Sequence, residues 1–161
     1  MEGRTAEVSL RSVMGCFPTG VTVVATRDLD GVPWGLTVNS FASVSLKPPL
    51  VLVCISRDAN THDRLIDADG FTVSVLSASQ AALAERFAEP PSEGRFRGVE
   101  WQAAPSGNPV LAGAVAWLDC LIDEVMNSGD HSILIGRAVA ASFSDEPALV
   151  FHRGVFGSIG G

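Results

Sequence analysis

Four short stretches of this sequence are polar where plain strand-and-turn structure does not require it. The first is FPTGV at residues 17–21. Pro18 fixes φ there, and Gly20 lets the backbone turn tightly into a strand. The second is GLTVNSFASVS at residues 35–45. It offers hydroxyl, amide and backbone N–H groups suited to a polar heteroaromatic ring or a phosphate. The third is SRDANTH at residues 56–62, leaving an apolar run and entering a helix. Backbone N–H groups at a helix start, with Ser and Thr hydroxyls nearby, suit a phosphate, and Arg57 adds a positive charge. The fourth is SGDH at residues 128–131, which sets His131 after a turn. Each also has a plain reading: a helix-to-strand turn, a polar outer strand face, capping by Asn60 or Thr61, and a structural or exposed histidine.

The inventory removes several chemistries. The only lysine, Lys47, precedes Pro48 and Pro49, so a Schiff-base or P-loop lysine is not expected. Tyrosine is absent. Cys16, Cys54 and Cys120 lie far apart without a CxxC, and each sits among apolar residues. Buried, reduced thiols are expected. His62, His131 and His152 show no metal-ligand spacing, so no metal is expected. GxGxxG, GxxxxGK and GxSxG do not occur.

With 11 basic and 18 acidic residues the net charge is −7, which suits neither nucleic acid nor an anionic membrane. The longest strongly apolar run, residues 49–55, is far short of the ~20 residues of a membrane span. MEGRTAEVSL has no basic-then-apolar signal pattern, so a cytoplasmic location is expected. A length of 161 residues, with 16 Gly and 9 Pro spread evenly, points to a single domain over residues 1–161.

The elements that must position these stretches are mostly strands. Residues 21–26, 34–39, 50–56, 71–76, 116–125, 131–141 and 148–152 read as strands separated by turn residues. Residues 50–56 form a continuous apolar run, expected to be covered on both faces. Helices are expected from a Ser9 cap to residue 16, over 61–68, and over 81–88 after the capping box Ser77-x-x-Gln80. Residues 89–98 read as a loop. Seven strands joined mostly by short turns predict a mainly β fold, a closed or nearly closed barrel with a few peripheral helices.

Taken together, FPTGVTVVAT (17–26), GLTVNSFASVSLKPPLVLVCIS (35–56), NTHDRL (60–65), FTVSVLS (71–77), GDHSILIGRAV (129–139) and FHRGVF (151–156) resemble the short-chain flavin reductases. These are the NAD(P)H:flavin oxidoreductases that feed two-component monooxygenases. The resemblance runs in order along nearly the whole chain. It implies an FMN-binding split β-barrel that works as a homodimer, with flavin at the subunit interface. It places Thr19, Gly20, Val21, Thr37, Val38, Asn39 and Ser40 along the isoalloxazine ring and ribityl chain. Ser56, Ala59, Asn60 and Thr61 fall at the phosphate end. His131 falls on the nicotinamide side as the candidate catalytic residue. Phe156, also placed at the nicotinamide, stands where the family often has a tyrosine, so it can stack but cannot donate a hydroxyl hydrogen bond.

The function expected on this resemblance is reduction of FMN or FAD by NADH or NADPH, with reduced flavin delivered to a flavin-dependent monooxygenase. Hydride transfer to a flavin requires no protein acid or base, in keeping with the missing tyrosine. A non-catalytic FMN-binding or electron-transfer barrel is the alternative, and a cofactor-free interaction barrel a third reading.

Overall fold

A computed structural model describes residues 6–159. A first helix, α1 (Ala6–Gly15), leads into β1 (Thr19–Gly20), β2 (Thr22–Arg27), β3 (Pro33–Val38), β4 (Phe41–Leu46) and β5 (Pro49–Ser56). Then come α2 (His62–Ile66), β6 (Gly70–Val75), α3 (Ala81–Ala88), β7 (Trp101–Ala103) and β8 (Pro109–Leu111). The long ribbon β9 (Ala116–Ser128) and β10 (His131–Phe143) precedes β11 (Leu149–His152) and β12 (Val155–Ser158).

The main sheet has seven strands in the order β3-β2-β6-β9-β10-β5-β4. All its pairs are antiparallel. Its outermost strands, β3 and β4, are joined only by Asn39 and Ser40. Three Cα steps reach no more than about 11 Å. The sheet must therefore curl until its two edges lie side by side. They meet without a ladder of hydrogen bonds. The result is the expected split barrel, and its seam lies at Asn39 and Ser40.

Alternation along the strands fills the barrel. Val24, Val53, Ile55, Phe71, Val73 and Leu134 point inward and are buried. Full burial of each such side chain is worth about 1.5–3 kcal/mol. Gly136 leaves room for the Phe71 ring, because a Cβ there would come within 2.5 Å of Phe71 Cζ. The other face of β2, with Val23 and Ala25, and Val21 just before it, joins Phe87 of α3 and Phe96 in a second core.

Several expectations need correction. Strand β5 is not covered on both faces: Val51, Val53 and Ile55 are buried, while Leu52 and Cys54 are only half-buried. Helix α1 begins before Ser9, which therefore lies inside the helix and not at its cap. Helix α2 is shorter than residues 61–68, and Thr61 makes no side-chain capping bond. The Ser77 box is half formed. Gln80 Oε1 accepts from Ser77 N at 2.9 Å, but Ser77 Oγ pairs with Ser79 Oγ at 3.0 Å. Cys16 is exposed and Cys54 half-buried; only Cys120 is a buried thiol. Burial, aided by the neighbouring Asp119, pushes the Cys120 thiol up to about 12.

Candidate functional site: the barrel seam

The turn that opens the barrel makes one wall of a cavity of about 300 Å³ at the seam. It is lined by Phe17, Pro18, Thr19, Gly20, Asn39 and Phe41, with Thr22 and Val75 behind them. Pro18 and Gly20 bring the chain from α1 round into β2, which carries Phe17 and Thr19 to the cavity rim. Larger concavities of about 490 and 630 Å³ lie elsewhere. Their walls are strand ends and loops, with Arg27, Asp28 and Asn108 in the first and Glu100 and Gln102 in the second. The smaller cavity is the better ligand site because its wall is more apolar and holds a buried polar group without a partner.

That group is the Thr19 hydroxyl. Among the described residues, Thr19 Oγ1 and Thr61 Oγ1 are the two buried side-chain polar atoms with no hydrogen-bond partner. An orphan of this kind costs about 1–3 kcal/mol, and native proteins retain few of them. Both belong to the stretches that could hold a polar ligand.

The remaining polar groups of the seam divide into free and committed. Asn39 is exposed and faces the cavity. Ser40 Oγ donates to Cys54 O at 2.8 Å and accepts from Cys54 N at 3.1 Å, so it staples the seam to β5. Thr37 Oγ1 donates to Ala84 O at 2.6 Å and is spent on α3. Val21 and Val38 are core side chains that leave only their backbone for a ligand.

The SRDANTH stretch continues from β5 past the seam. Ser56 Oγ accepts from Asp58 N at 3.3 Å. Ala59 N donates to Ser56 O at 3.1 Å, and His62 N donates to Ala59 O at 2.9 Å. Asn60 is exposed, and its carbonyl takes the Arg64 guanidinium at 3.1 Å. Thr61 is completely buried. His131 lies opposite Ser56 in the β5–β10 ladder, and Phe41 lies opposite Val53. Three residue steps along β5, from Val53 to Ser56, therefore separate Phe41 from His131, about 10 Å along the strand. His131 Nδ1 lies 2.7 Å from Asp130 Oδ1. That hydrogen bond, then the histidine charge, holds the Asp130 carboxyl below its usual range.

Phe156 packs on Phe151 with ring centroids 5.3 Å apart, and Phe151 lies opposite Thr19. It therefore belongs with the turn at the first end of the cavity. His131 and Phe156, both placed at the nicotinamide by resemblance, sit in different sheets.

The model of the flavin reductase like domain matches residues 14–160. The chain belongs to the flavin reductase-like family. It is 48% identical over 154 residues to the NADH-dependent FAD reductase of Streptomyces globisporus, covering 92% of this chain and 84% of that one. It is 41% identical over 146 residues to the stachydrine N-demethylase reductase subunit Stc3 of Rhizobium meliloti, covering 91% of this chain. Among solved structures, the NADH:FAD oxidoreductase of Streptomyces globisporus C-1027, in complex with NAD and FAD fragments, superposes with a TM-score of 0.90. It is 42% identical, with 96% of this chain and 93% of that chain covered. The chain spans 63% and 49% of the length of two Rhizobium meliloti relatives, Stc3 and a probable flavin reductase.

Within this family frame the structure adds residues that sequence reasoning does not select. Phe17, Pro18 and Phe41 line the cavity, yet in the sequence they stand only as parts of their stretches. Thr22 is also there, its hydroxyl donating to Val38 O at 2.7 Å. A Phe directly before Pro, at a turn with no core to enter, was the available signal: Phe17 is 64% exposed. The residues fit a flavin. An apolar wall and the unpartnered Thr19 hydroxyl suit the ring; the second unpartnered hydroxyl, Thr61, is completely buried outside this cavity, in the stretch that the resemblance assigns to the phosphate.

Proposed function

We propose that this chain is an NAD(P)H:flavin oxidoreductase that binds flavin along the seam. The carrying observation is the pair of orphaned hydroxyls, Thr19 and Thr61, both at flavin positions implied by the sequence. A bound flavin supplies the hydride acceptor; the chain supplies orientation. Phe17, Pro18 and Phe41 would cover the ring, and the Gly20 backbone permits close approach. Val21, Thr37 and Val38 would act through their backbone, and Asn39 through its amide. Ser40 would hold the seam in shape. Ser56, Ala59, Asn60 and Thr61 would receive the phosphate end. Asp130 accepts from His131 Nδ1–H, which leaves Nε2 to face the nicotinamide carboxamide. Phe156 would stack against the same co-substrate.

Relatives named NADH-dependent FAD reductase and FMN reductase (NADH) favour NADH as donor and leave FMN and FAD both as acceptors. Relatives that are reductase components of flavin-dependent monooxygenases support an oxygenase as the receiver of reduced flavin. Among the described residues no helix is long and apolar enough to cross a membrane, in keeping with a cytoplasmic protein. A homodimer is part of the proposal. Leu46 is more than four-fifths exposed, and Val44 and Val139 about half, on the strands beside the half-bare outer face of β5, and Phe143 is exposed at the far end of β10. A second copy would cover this face and bring a second set of site residues to the first. Light scattering should return twice the monomer mass.

The deciding experiment adds NADH and FMN or FAD to the purified chain and follows absorbance at 340 nm. A flavin-dependent fall supports the proposal. A yellow preparation that never oxidises NADH refutes it in favour of a flavin-binding module without reductase activity.

A further inference from the structure

The phosphate end of the proposed site rests on a buried histidine that flavin binding itself does not use. His62 opens α2 and is 5% exposed. Both ring nitrogens are engaged: Nδ1 lies 2.8 Å from Asp63 Oδ1, and Nε2 lies 2.8 Å from Ser132 Oγ. Ser132 is fully buried, and its hydroxyl lies 3.3 Å from the Asn127 side-chain amide. The His62 Nε2–Ser132 Oγ hydrogen bond forms whichever of the two atoms donates. Asn127 and Ser132 face each other across the β9–β10 ladder. One imidazole thus bolts α2 to both strands of the ribbon.

The bolt holds what α2 cannot hold alone. The helix runs only from His62 to Ile66, too short to be stable without tertiary support. Its entrance residue, Thr61, makes no side-chain cap bond. Leu65 of the same helix enters the barrel core fully buried. An apolar side chain would have served for packing at His62 as well. A buried imidazole is favourable only while its hydrogen bonds are made. Those bonds fix the residue next to Thr61, whose hydroxyl is buried and without a partner.

We propose that His62 is a positioning residue: through Ser132 it holds Thr61 in the place where it meets a flavin phosphate, and so selects phosphorylated flavins over riboflavin. The inference rests on the flavin reading of the seam. Its test is binding. Dissociation constants for FMN and riboflavin are measured by flavin fluorescence for the wild type, His62→Leu, His62→Gln and Ser132→Ala. Circular-dichroism melting checks each fold.

In His62→Leu, which fills the volume without the bonds, FMN affinity should fall about tenfold, the effect of one lost bond to a charged group. Riboflavin affinity should stay within about twofold. His62→Gln keeps a side-chain amide that can donate to or accept from Ser132 and should restore most of the preference for FMN. Ser132→Ala cuts the same bond from the other side and should reproduce the loss; it decides the matter if His62→Leu does not fold. A wild type that prefers FMN, with that preference unchanged in Ser132→Ala, overturns this inference and leaves the flavin reading standing. FMN and riboflavin affinities falling together also overturn it. A wild type that binds both flavins equally removes the phosphate site, and this inference with it. Failure of NADH oxidation, with the FMN preference intact, removes the reductase reading alone.

Discussion

Replacing Thr61 with valine should move stability and flavin affinity in opposite directions. Valine has the shape of threonine without its hydroxyl. Thr61 Oγ1 is buried and bonded to nothing, and the residue provides no side-chain cap to α2. In the flavin-free protein the change removes an unsatisfied group that costs about 1–3 kcal/mol. A gain of ~1 kcal/mol in a chain of this size raises Tm by roughly 2–4 °C. With FMN the sign reverses. Loss of one hydrogen bond to a charged phosphate weakens binding by about 1.5–3 kcal/mol, tenfold or more in Kd. At FMN equal to about 100 times the wild-type Kd, ligand binding stabilises the wild type by about 2.7 kcal/mol. A tenfold weaker variant at the same FMN gains only about 1.4 kcal/mol. The melting curve of Thr61→Val should therefore start higher and shift about half as far when FMN is added. Melting followed by circular dichroism, with riboflavin as the control ligand, reads both quantities. A lower Tm without flavin, or an undiminished shift with FMN, would refute the assignment of Thr61 to the phosphate.

Three further expectations come from other parts of the fold. His131→Ala should lower kcat/KM for NADH by about tenfold, near 1.4 kcal/mol, with little change in flavin Kd; stopped-flow reduction at the wild-type rate would remove His131 from the site. Gly136→Ala should destabilise the protein by about 1–3 kcal/mol, because a Cβ there comes within 2.5 Å of Phe71 Cζ inside a packed barrel; an unchanged urea midpoint would show that the ring can move aside. Thiol labelling of the native protein near pH 8 should modify exposed Cys16 first and half-buried Cys54 more slowly. It should spare Cys120, which is buried with its thiol pushed up to about 12, until the protein unfolds; early labelling of Cys120 in mass spectra would mean that the barrel opens.

The strands that were legible are those whose own residues demand the pleat. VTVVAT and FTVSVL are β-branched runs, and they became β2 and β6 within a residue or two. Strand β4 was hidden because Ala42, Ser43 and Ser45 favour no state strongly, and its pairing with β5 includes a bulge between Ser43 and Ser45. Strands β7 and β8 are three residues each, and their content is set by what they cover. Thr72 donates its hydroxyl to Pro109 O, and Leu111 N donates to Ser74 Oγ at 3.0 Å. The polar side of β6, Thr72 and Ser74, is therefore buried.

The same limit governs the site. Polarity singled out TVNS, which runs into the seam, and SRDANTH, which leaves the end of β5. It could not tell a free hydroxyl from a spent one, since the partner that spends it comes from elsewhere in the chain. Thr37 is satisfied by the carbonyl of Ala84 and Ser40 by the backbone of Cys54, whereas Thr61 in an equally polar stretch meets no partner. Strand order explains the difference. Consecutive β3 and β4 are forced to opposite edges of one curled sheet, so Asn39 and Ser40 bridge an opening where ordinary neighbours would have paired. An opening in a hydrogen-bonded wall leaves backbone and side-chain groups without strand partners. On the proposed reading, a planar polar ligand laid along it would satisfy them without disturbing the core behind Val38 and Val53, because the seam is where the sheet cannot complete itself.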